Sequence, residues 1–336
     1  MGRIIKLIDS YTKESVNYEE TSVWYDGTPM DDTKVDNVIY RKKLNKYYVD
    51  VKSITEGQVN VKRFGINDND IDNTISFSKA FSTGLNILIP KGSYRISDTL
   101  EIKNGVTISA YGASIHWIGD NTKPLFVINA PASDVYIKGG LYTGNPSAFV
   151  KGIGATYNPT QITDYARFFL EDLHVSGADI FIDTQNAARI KASNVHSWTK
   201  NGINSYGKIV EFKINNSVIF GSTSDEDTYG IKAEADINAT STGFCEGFHI
   251  TNSTIDGFHN AILLKDIFVF ELSNSWVSSN STTTIRIGRG VTGKCTDIII
   301  NGNTIKGGIV FDTLTSGNEY RAKITNNNLI NLPFVG

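Results

Sequence analysis

Hydrophobic residues in the second half of the chain bracket a short polar segment, and this hexamer recurs seven times. The first and sixth positions are aliphatic in all seven copies, and the third is Asn in four of them. The copies are residues 170–175, 190–195, 214–219, 250–255, 272–277, 300–305 and 324–329, with starts 20 to 36 residues apart. A unit of this length that repeats with irregular insertions predicts the stacked coils of a solenoid.

The residues of each repeat favour strands and turns over helices. The apolar segments are rich in β-branched residues, and Asn, Ser, Thr and Gly separate them. A second short apolar strand follows each of the first six hexamers, and looser repeats begin at Val106 and Val135. The predicted fold class is all-β, a right-handed single-stranded parallel β-helix. Aliphatic residues should stack inside it, and Asn amides at the third position should bond from coil to coil.

One helix is expected ahead of the repeats, near residues 73–81. Its pattern of apolar residues is helical, and Asn73 or Thr74 is suited to the N-cap. A helix in this place predicts a cap on the open end of the solenoid, where a strand edge would otherwise be unpaired.

Composition narrows the classes of partner. Hydrophobic residues make up 40% of the chain, charged residues make up 20%, and the formal net charge is −3. Because the sequence has no basic stripe that would neutralise a phosphate backbone, nucleic acid is not expected as a partner. No apolar run approaches the roughly 20 residues that span a bilayer, so membrane insertion is not expected. The first residues do not resemble a signal peptide, which indicates synthesis in a cytosol without one.

Neither a metal site nor a cofactor is predicted. The five histidines have no metal-ligand spacing, and Cys245 and Cys295 stand far apart without a CxxC partner. The acidic turn at residues 67–70 lacks the glycine and the glutamate of a calcium-binding EF-hand loop. We therefore expect it to form a turn and a helix cap.

Two motifs resemble the opening of the pectate-lyase-like β-helix superfamily. They are the turn Phe64-Gly65 and the segment Pro90-Lys-Gly92-Ser-Tyr94, whereas the acidic turn between them departs from the family pattern. Residues 1–58 look like the small β-rich modules that precede the β-helices of bacteriophage tailspikes and tail fibres. This resemblance implies a division into a virion-attachment module (1–58), which contacts other virion tail proteins, and a β-helix (59–336). It also implies a homotrimer that is located in the phage tail.

The oversized coil at residues 214–249 is the predicted location of a site, because it is about a dozen residues longer than its neighbours. Its first turn carries the candidate catalytic carboxylates Asp225, Glu226 and Asp227, and its second turn carries Glu234, Asp236 and Glu246. Stacking of equivalent turns should bring aromatic and imidazole rings beside the first turn. The candidate substrate-binding residues are Trp198, Tyr229, Phe258 and His259.

Carboxylates beside aromatic rings suit a sugar-binding groove, since sugar CH faces stack on rings and carboxylates accept hydroxyl hydrogen bonds. The leading hypothesis is a phage tail protein that recognises a bacterial surface polysaccharide, and depolymerisation of that polysaccharide is favoured over binding alone, by a glycoside hydrolase in preference to a lyase. Hydrolysis needs two suitably spaced carboxylates, and a lyase needs a base and a cation such as Arg286 or Arg289. Two alternatives concern the site: residues 225–227 form a solvated loop without a function, and Trp198 and Trp276 serve in packing. The alternative function is a non-catalytic structural or receptor-binding virion component.

Overall fold

A computed structural model describes most of the chain. The described residues are 3–24, 27–68, 70–102, 105–130, 134–154, 165–223, 225–235, 245–288, 296–312 and 321–330. They contain two α-helices, α1 (Val51–Glu56) and α2 (Thr74–Phe81), and two 3-10 turns at Asp32–Lys34 and Val61–Phe64. Neither helix is long and apolar enough to cross a membrane.

The first fifty residues form a small antiparallel sheet. Its strands are β1 (Ile4–Ile8), β2 (Ser15–Thr21), β3 (Tyr40–Lys43) and β4 (Lys46–Asp50). They lie in the order β1-β2-β4-β3. Val38, Ile39 and Tyr40 are buried in the same hydrophobic cluster as the interior of the following domain. The small sheet is therefore packed against the end of the solenoid.

All later strands belong to one parallel solenoid. In chain order they are β5 (Gln58–Asn60), β6 (Asn86–Leu88), β7 (Gly92–Ile96), β8 (Leu100–Glu101), β9 (Thr107–Ser109), β10 (Ala113–Trp117), β11 (Phe126–Asn129), β12 (Val135–Lys138), β13 (Leu141–Thr143), β14 (Val150–Ile153), β15 (Phe168–Glu171), β16 (His174–Ser176), β17 (Ile180–Ser193), β18 (His196–Thr199), β19 (Asn201–Asn215), β20 (Val218–Gly221), β21 (Tyr229–Glu234), β22 (Cys245–Thr251), β23 (Thr254–Phe258), β24 (Asn260–Lys265), β25 (Phe270–Ser273), β26 (Trp276–Gly288), β27 (Ile298–Asn301), β28 (Thr304–Phe311), β29 (Ala322–Thr325) and β30 (Asn328–Ile330).

Each coil crosses three parallel faces in turn. Face 1 contains β15, the second half of β17, the second half of β19, β22 and β25. Face 2 contains β13, β16, β18, β20 and β23. Face 3 contains β14, the first halves of β17 and β19, β21, β24 and the end of β26. The predicted all-β, right-handed parallel β-helix with a β-rich N-terminal module and a short helix is confirmed.

Apolar side chains fill the interior because alternate residues of a strand point to opposite faces of the sheet. On face 1 the buried column runs through Leu170, Ala192, Ile214, Ile250 and Leu272. Buried aromatic rings stack from coil to coil in the same way, with the ring centroids of Phe212 and Phe248 4.9 Å apart. The predicted internal stack of apolar residues is present.

In every hexamer, one residue in the left-handed backbone conformation turns the chain from face 1 to face 2. The third-position residues, which all have φ between 49° and 71°, are Asp172, Asn194, Asn216, Asn252, Asn274, Gly302 and Asn326. Asn, Asp and Gly tolerate this conformation best. In the second repeat, Leu170 pairs with Ala192 and not with Ile190. The sequence-based alignment of residues 190–195 was therefore wrong by two residues, and the true hexamer is 192–197.

The coil-to-coil hydrogen-bond ladder forms mainly one position later than expected. Backbone N–H groups donate to the fourth-position side chain of the next coil: Ser217 to Ser253 Oγ at 3.2 Å, and Ser253 to Ser275 Oγ at 3.1 Å. Ser275 donates likewise to Asn303 Oδ1 at 2.9 Å. The side chains of the third-position Asn residues are exposed. The fourth-position side chains are buried, and those of the later coils accept these hydrogen bonds from the preceding coil, so their polar atoms have partners within the protein.

Helix α2 lies at the N-terminal end of the solenoid, as predicted. Phe77 and Phe81 are buried, and the Phe81 ring stacks on Phe126 with centroids 6.3 Å apart. Asn73 is the N-cap residue, as predicted, but its side chain does not cap the helix and accepts instead from the Asn67 N–H. The carboxylate of Asp72 accepts from the Thr74 backbone N–H at 2.9 Å. The acidic turn at residues 67–70 therefore contacts the N-cap residue, and Asp72, two residues after the turn, supplies the carboxylate at the start of the helix.

A buried arginine joins the small sheet to the solenoid. Arg63 Nε lies 3.3 Å from the Asp9 carboxylate, and Nη1 donates to Asp50 Oδ2 and, at 2.9 Å, to Ser53 Oγ. Arg63 Nη2 lies 3.3 Å from the Tyr18 hydroxyl. Both carboxylates are fully buried. Because buried charges need partners, this cluster fixes the orientation of the small sheet relative to the first coil.

Replacement of Arg63 tests this junction. Arg63→Met should lower the free energy of unfolding by about 3–5 kcal/mol, since it removes the cation beside the buried Asp50 carboxylate and leaves Asp9 with Arg41 alone, at 3.9 Å. Arg321→Met is the control. That arginine forms an exposed ion pair with Asp297 at 3.0 Å, and the loss of such a pair should lower the free energy of unfolding by less than about 1 kcal/mol. Guanidinium unfolding followed by circular dichroism measures both. Equal losses in the two variants would contradict a structural role for the junction.

Candidate functional site

The outer surface of face 3 carries a groove lined by charged side chains. Its volume is about 360 Å³. The lining side chains that bear charge are Lys232, Glu234, Lys265, Arg286 and Asp312. They come from successive coils, because β21, β24 and β26 pair in parallel register and present the same alternate positions outward. We call this feature the charged groove.

Ion pairs cross from coil to coil along this face. Lys265 Nζ lies 3.1 Å from Glu234 Oε1, and Arg286 Nε lies 2.8 Å from Asp312 Oδ1. Asp183, two coils before Glu234, accepts a third ion pair from the coil that precedes it, where Lys151 Nζ lies 3.4 Å from Asp183 Oδ2. All of these side chains are partly exposed, so the pairs arrange polar groups at the surface and contribute little to stability.

Tyr229 lies at the edge of the charged groove on the first position of β21. Burial raises the pKa of its hydroxyl to about 12, and the carboxylates of Asp183 and Asp227 act in the same direction. The phenol is therefore neutral and a hydrogen-bond donor at neutral pH. Lys232 Nζ lies 5.7 Å from the centre of its ring. Asp183, which accepts from Asn204 Nδ2 at 2.8 Å, completes this polar end of the face.

The first acidic turn, residues 225–227, forms the corner between faces 2 and 3. The side chains of Asp225, Glu226 and Asp227 are exposed. The corner is held by buried Thr228, whose Oγ1 donates to the Asp225 carbonyl at 2.7 Å and accepts from the His259 N–H at 3.0 Å. Of the three carboxylates, Asp227 is close enough to Tyr229 to affect its hydroxyl electrostatically.

His259 stacks on this corner as expected, but Phe258 does not face solvent. His259 is half-buried in the equivalent turn of the next coil, and its backbone contacts Thr228. Phe258 is completely buried among core side chains. Its ring therefore contributes to the interior and presents no surface to a ligand. The prediction that Phe258 binds substrate was wrong.

Trp198 lies on a different face from the charged groove. It projects from face 2 with 53% of its surface exposed, and its ring lies 5.1 Å from that of Phe220 on the next coil. The outward residues of four successive face-2 strands carry no Asp, Glu, Lys or Arg. They are Leu141, Thr143, His174, Ser176, His196, Trp198, Val218 and Phe220. We call this surface the neutral patch.

The second acidic turn does not form one cluster with the first. Glu234 ends β21 and lies in the charged groove, at the opposite end of the strand from the corner. Glu246 lies on face 1, where it pairs in register with Val210. Asp236 lies outside the described residues, as does Arg289. Of the sequence candidates, Tyr229 and Glu234 therefore share a face.

Several residues of the charged groove, and Asp183 on the same face, were missed by sequence reasoning. Asp183, Lys232, Lys265 and Asp312 belong to different coils, and no local motif marks them. The one available signal was the repeat itself, since correct registration places Asp183, Asn204 and Lys232 in one outward column. Among the described residues, no three His, Cys, Asp or Glu side chains are grouped as a metal site.

Because Thr228 holds the corner by hydrogen bonds, we expect its substitution to destabilise the protein more than substitution of the three carboxylates. Thr228→Val should lower the free energy of unfolding by about 1–3 kcal/mol, because the His259 N–H loses its acceptor. The triple variant D225N/E226Q/D227N should stay within about 0.5 kcal/mol of wild type, as exposed substitutions usually do. Guanidinium unfolding measures both. If the triple variant were as unstable as Thr228→Val, the carboxylates would be holding the corner.

Comparison with known proteins identifies the fold. No protein-family model and no curated protein sequence matches the chain. The tailspike protein gp49 of the Acinetobacter baumannii bacteriophage Fri1, a capsular polysaccharide depolymerase, is 12% identical with a TM-score of 0.58. That match covers 98% of this chain and 72% of the tailspike.

Two further solved structures share the architecture. The enzymatically active domain of tailspike protein 2 from bacteriophage CBA120 is 11% identical with a TM-score of 0.51, over 98% of this chain and 54% of that one. This chain thus spans about half the length of that tailspike domain. A family 28 exopolygalacturonase from Yersinia enterocolitica is 12% identical with a TM-score of 0.50, over 94% and 70% of the two chains. The chain therefore has the parallel β-helix fold found in phage tailspike proteins.

Proposed function

We propose that this chain is a phage tail protein that recognises a bacterial surface polysaccharide through the charged groove. The observation that carries the proposal is an aromatic ring, Tyr229, next to a groove of about 360 Å³ that carboxylates and cations line. Lys232 joins the two features, because it lines the groove and its Nζ lies 5.7 Å from the centre of the ring. A sugar ring can stack its CH face on the phenol ring. Its hydroxyls can bond to Asp183, Glu234 and Lys265. The shared tailspike fold supports this reading, although fold alone does not fix function.

Cleavage of the polysaccharide is a second candidate function. Asp183 and Glu234 face the same surface from coils two steps apart, with Glu234 two residues further along its strand. Spacings of about 4.8 Å per coil and 3.3 Å per residue put their Cα atoms roughly 12 Å apart. With side chains turned toward a bound sugar, this arrangement suits the carboxylate spacing of about 6.5–9.5 Å of inverting hydrolases better than the spacing of about 5 Å of retaining ones.

Two variants separate the groove from the corner. If the groove cleaves, D183N/E234Q should reduce the release of reducing ends from bacterial capsule or lipopolysaccharide by at least about 100-fold, given the usual contribution of acid–base groups. The corner variant D225N/E226Q/D227N should retain activity within a few-fold. Ultraviolet absorbance would report unsaturated products and so detect a lyase, because elimination next to a carboxylate leaves a conjugated double bond.

The same preparations distinguish recognition from catalysis. Retained binding of wild-type protein to cells without release of products would exclude cleavage and favour a non-catalytic receptor-binding component. Loss of binding in Tyr229→Ala, with unchanged binding in the corner variant, is the result expected for recognition by the groove. Unchanged binding in Tyr229→Ala would contradict the location proposed here.

The N-terminal residues 1–58 are proposed to attach the protein to other virion tail proteins. The small sheet presents the outer strand β1 with Ile4 and Ile8 exposed at 62% and 60% of their surface. Arg63 and its buried carboxylates hold this sheet on the solenoid. An attachment module fixed in this way would transmit the orientation of the tail to the β-helix.

The neutral patch on face 2 is the proposed contact between protomers of a homotrimer. It combines Trp198, Phe220 and Leu141 with uncharged polar residues, and depletion of charge with enrichment of aromatic residues is typical of interface cores. Three parallel rods that meet through this patch would leave the charged groove on face 3 accessible.

The assembly is tested by the mass in solution. Wild-type protein should have three times the mass of the chain by multi-angle light scattering, and Trp198→Glu should shift it to the mass of one chain, because a carboxylate would be buried without a partner. Lys191→Glu on face 1 is the control and should stay trimeric. A wild-type monomer, or a trimer that tolerates Trp198→Glu, would contradict this interface.

A further inference from the structure

The charged groove contains one cation that the ion pairs along the face do not neutralise. Lys151, Lys265 and Arg286 each lie within 3.4 Å of a carboxylate. Lys232 lies between them in the same outward register, where its neighbours on the adjacent coils are the neutral residues Asn204 and Leu263. Its described contact is with the ring of Tyr229, 5.7 Å from Nζ. No described carboxylate lies within ion-pair distance of Lys232.

We infer that the charged groove selects an acidic polysaccharide and that Lys232 binds the carboxylate of a sugar residue stacked on Tyr229. This inference rests on the proposed function of the groove as a polysaccharide site. Lys232 is exposed and its Nζ lies over the ring at 5.7 Å from its centre, so an ammonium group and an apolar surface are offered to one ligand at neighbouring points. An acidic sugar has the matching pair of features, a carboxylate attached to a ring with an apolar CH face.

The surroundings of Lys232 favour a carboxylate over a hydroxyl. A sugar hydroxyl does not need Lys232, because Glu234, Asp183 and Asn204 on the same face can accept from it or donate to it. The phenol of Tyr229 stays protonated well above neutral pH and can donate a second hydrogen bond to the same carboxylate. A neutral sugar would leave the Lys232 charge partly desolvated and unpaired, which disfavours its binding.

Carboxyl reduction of the polysaccharide, combined with a charge variant, tests the inference. The probes are immobilised bacterial capsular polysaccharides, some neutral and some containing uronic acids, each acidic one also in a carboxyl-reduced form. Wild-type protein should bind one or more acidic polysaccharides and lose about tenfold or more of its affinity on reduction, as expected for one charge-assisted hydrogen bond. Lys232→Met should lose a similar factor on the native polymer and almost none on the reduced one.

Two matched variants make the result specific. Lys232→Arg keeps the charge and should retain most of the affinity, and Lys191→Met removes an exposed lysine on face 1 and should change nothing. Binding confined to neutral polysaccharides, or equal losses for Lys232→Met on native and reduced polymers, would overturn the inference while leaving the proposed function standing. Absence of binding to every polysaccharide in the set would contradict the proposed function itself, and the inference with it.

Discussion

The structure depends on one constraint, the parallel register in which each coil pairs with the next. Maintaining it requires every coil to turn from face 1 to face 2 with the same backbone geometry, and a left-handed residue such as Asn216 or Asn252 supplies that turn in each hexamer. Because side chains alternate across a strand, the register decides which residues enter the core and which face outward. It therefore also decides the composition of face 3, where Asp183, Asn204 and Lys232 form one column.

The fold could be predicted because the repeat signals the same structure many times over. The sequence-based alignment was nevertheless wrong in the second hexamer. Ile190 and Val195 match the aliphatic pattern better than Ala192 and Ser197 do, yet the latter pair occupies the equivalent positions. The requirement for φ > 0 at the third position is the stricter one, since few residues meet it cheaply, whereas the core accepts side chains of several sizes. An alignment on Asn194 would have found the correct register.

The site was predictable only in part. Tyr229 and Glu234 were found because they belong to the oversized coil, but turn length does not reveal which face a side chain joins. Asp183, Lys265 and Asp312 come from coils before and after, so their proximity exists only in the folded molecule. Phe258 was misplaced for a related reason: an aromatic residue beside a turn has the same sequence signature whether its ring points inward or outward. The contrast between the charged groove on face 3 and the neutral patch on face 2 likewise appears only once the coils are stacked.

The central claim is that polysaccharide binds on face 3 and not at the corner or on face 2. A crystal structure of the protein with an oligosaccharide prepared from a bound bacterial polysaccharide tests it most directly. We predict a sugar ring stacked on Tyr229, with its polar groups in contact with Lys232 and Glu234. An oligosaccharide seated on Trp198 and Phe220, or held by the carboxylates of residues 225–227, would contradict this account.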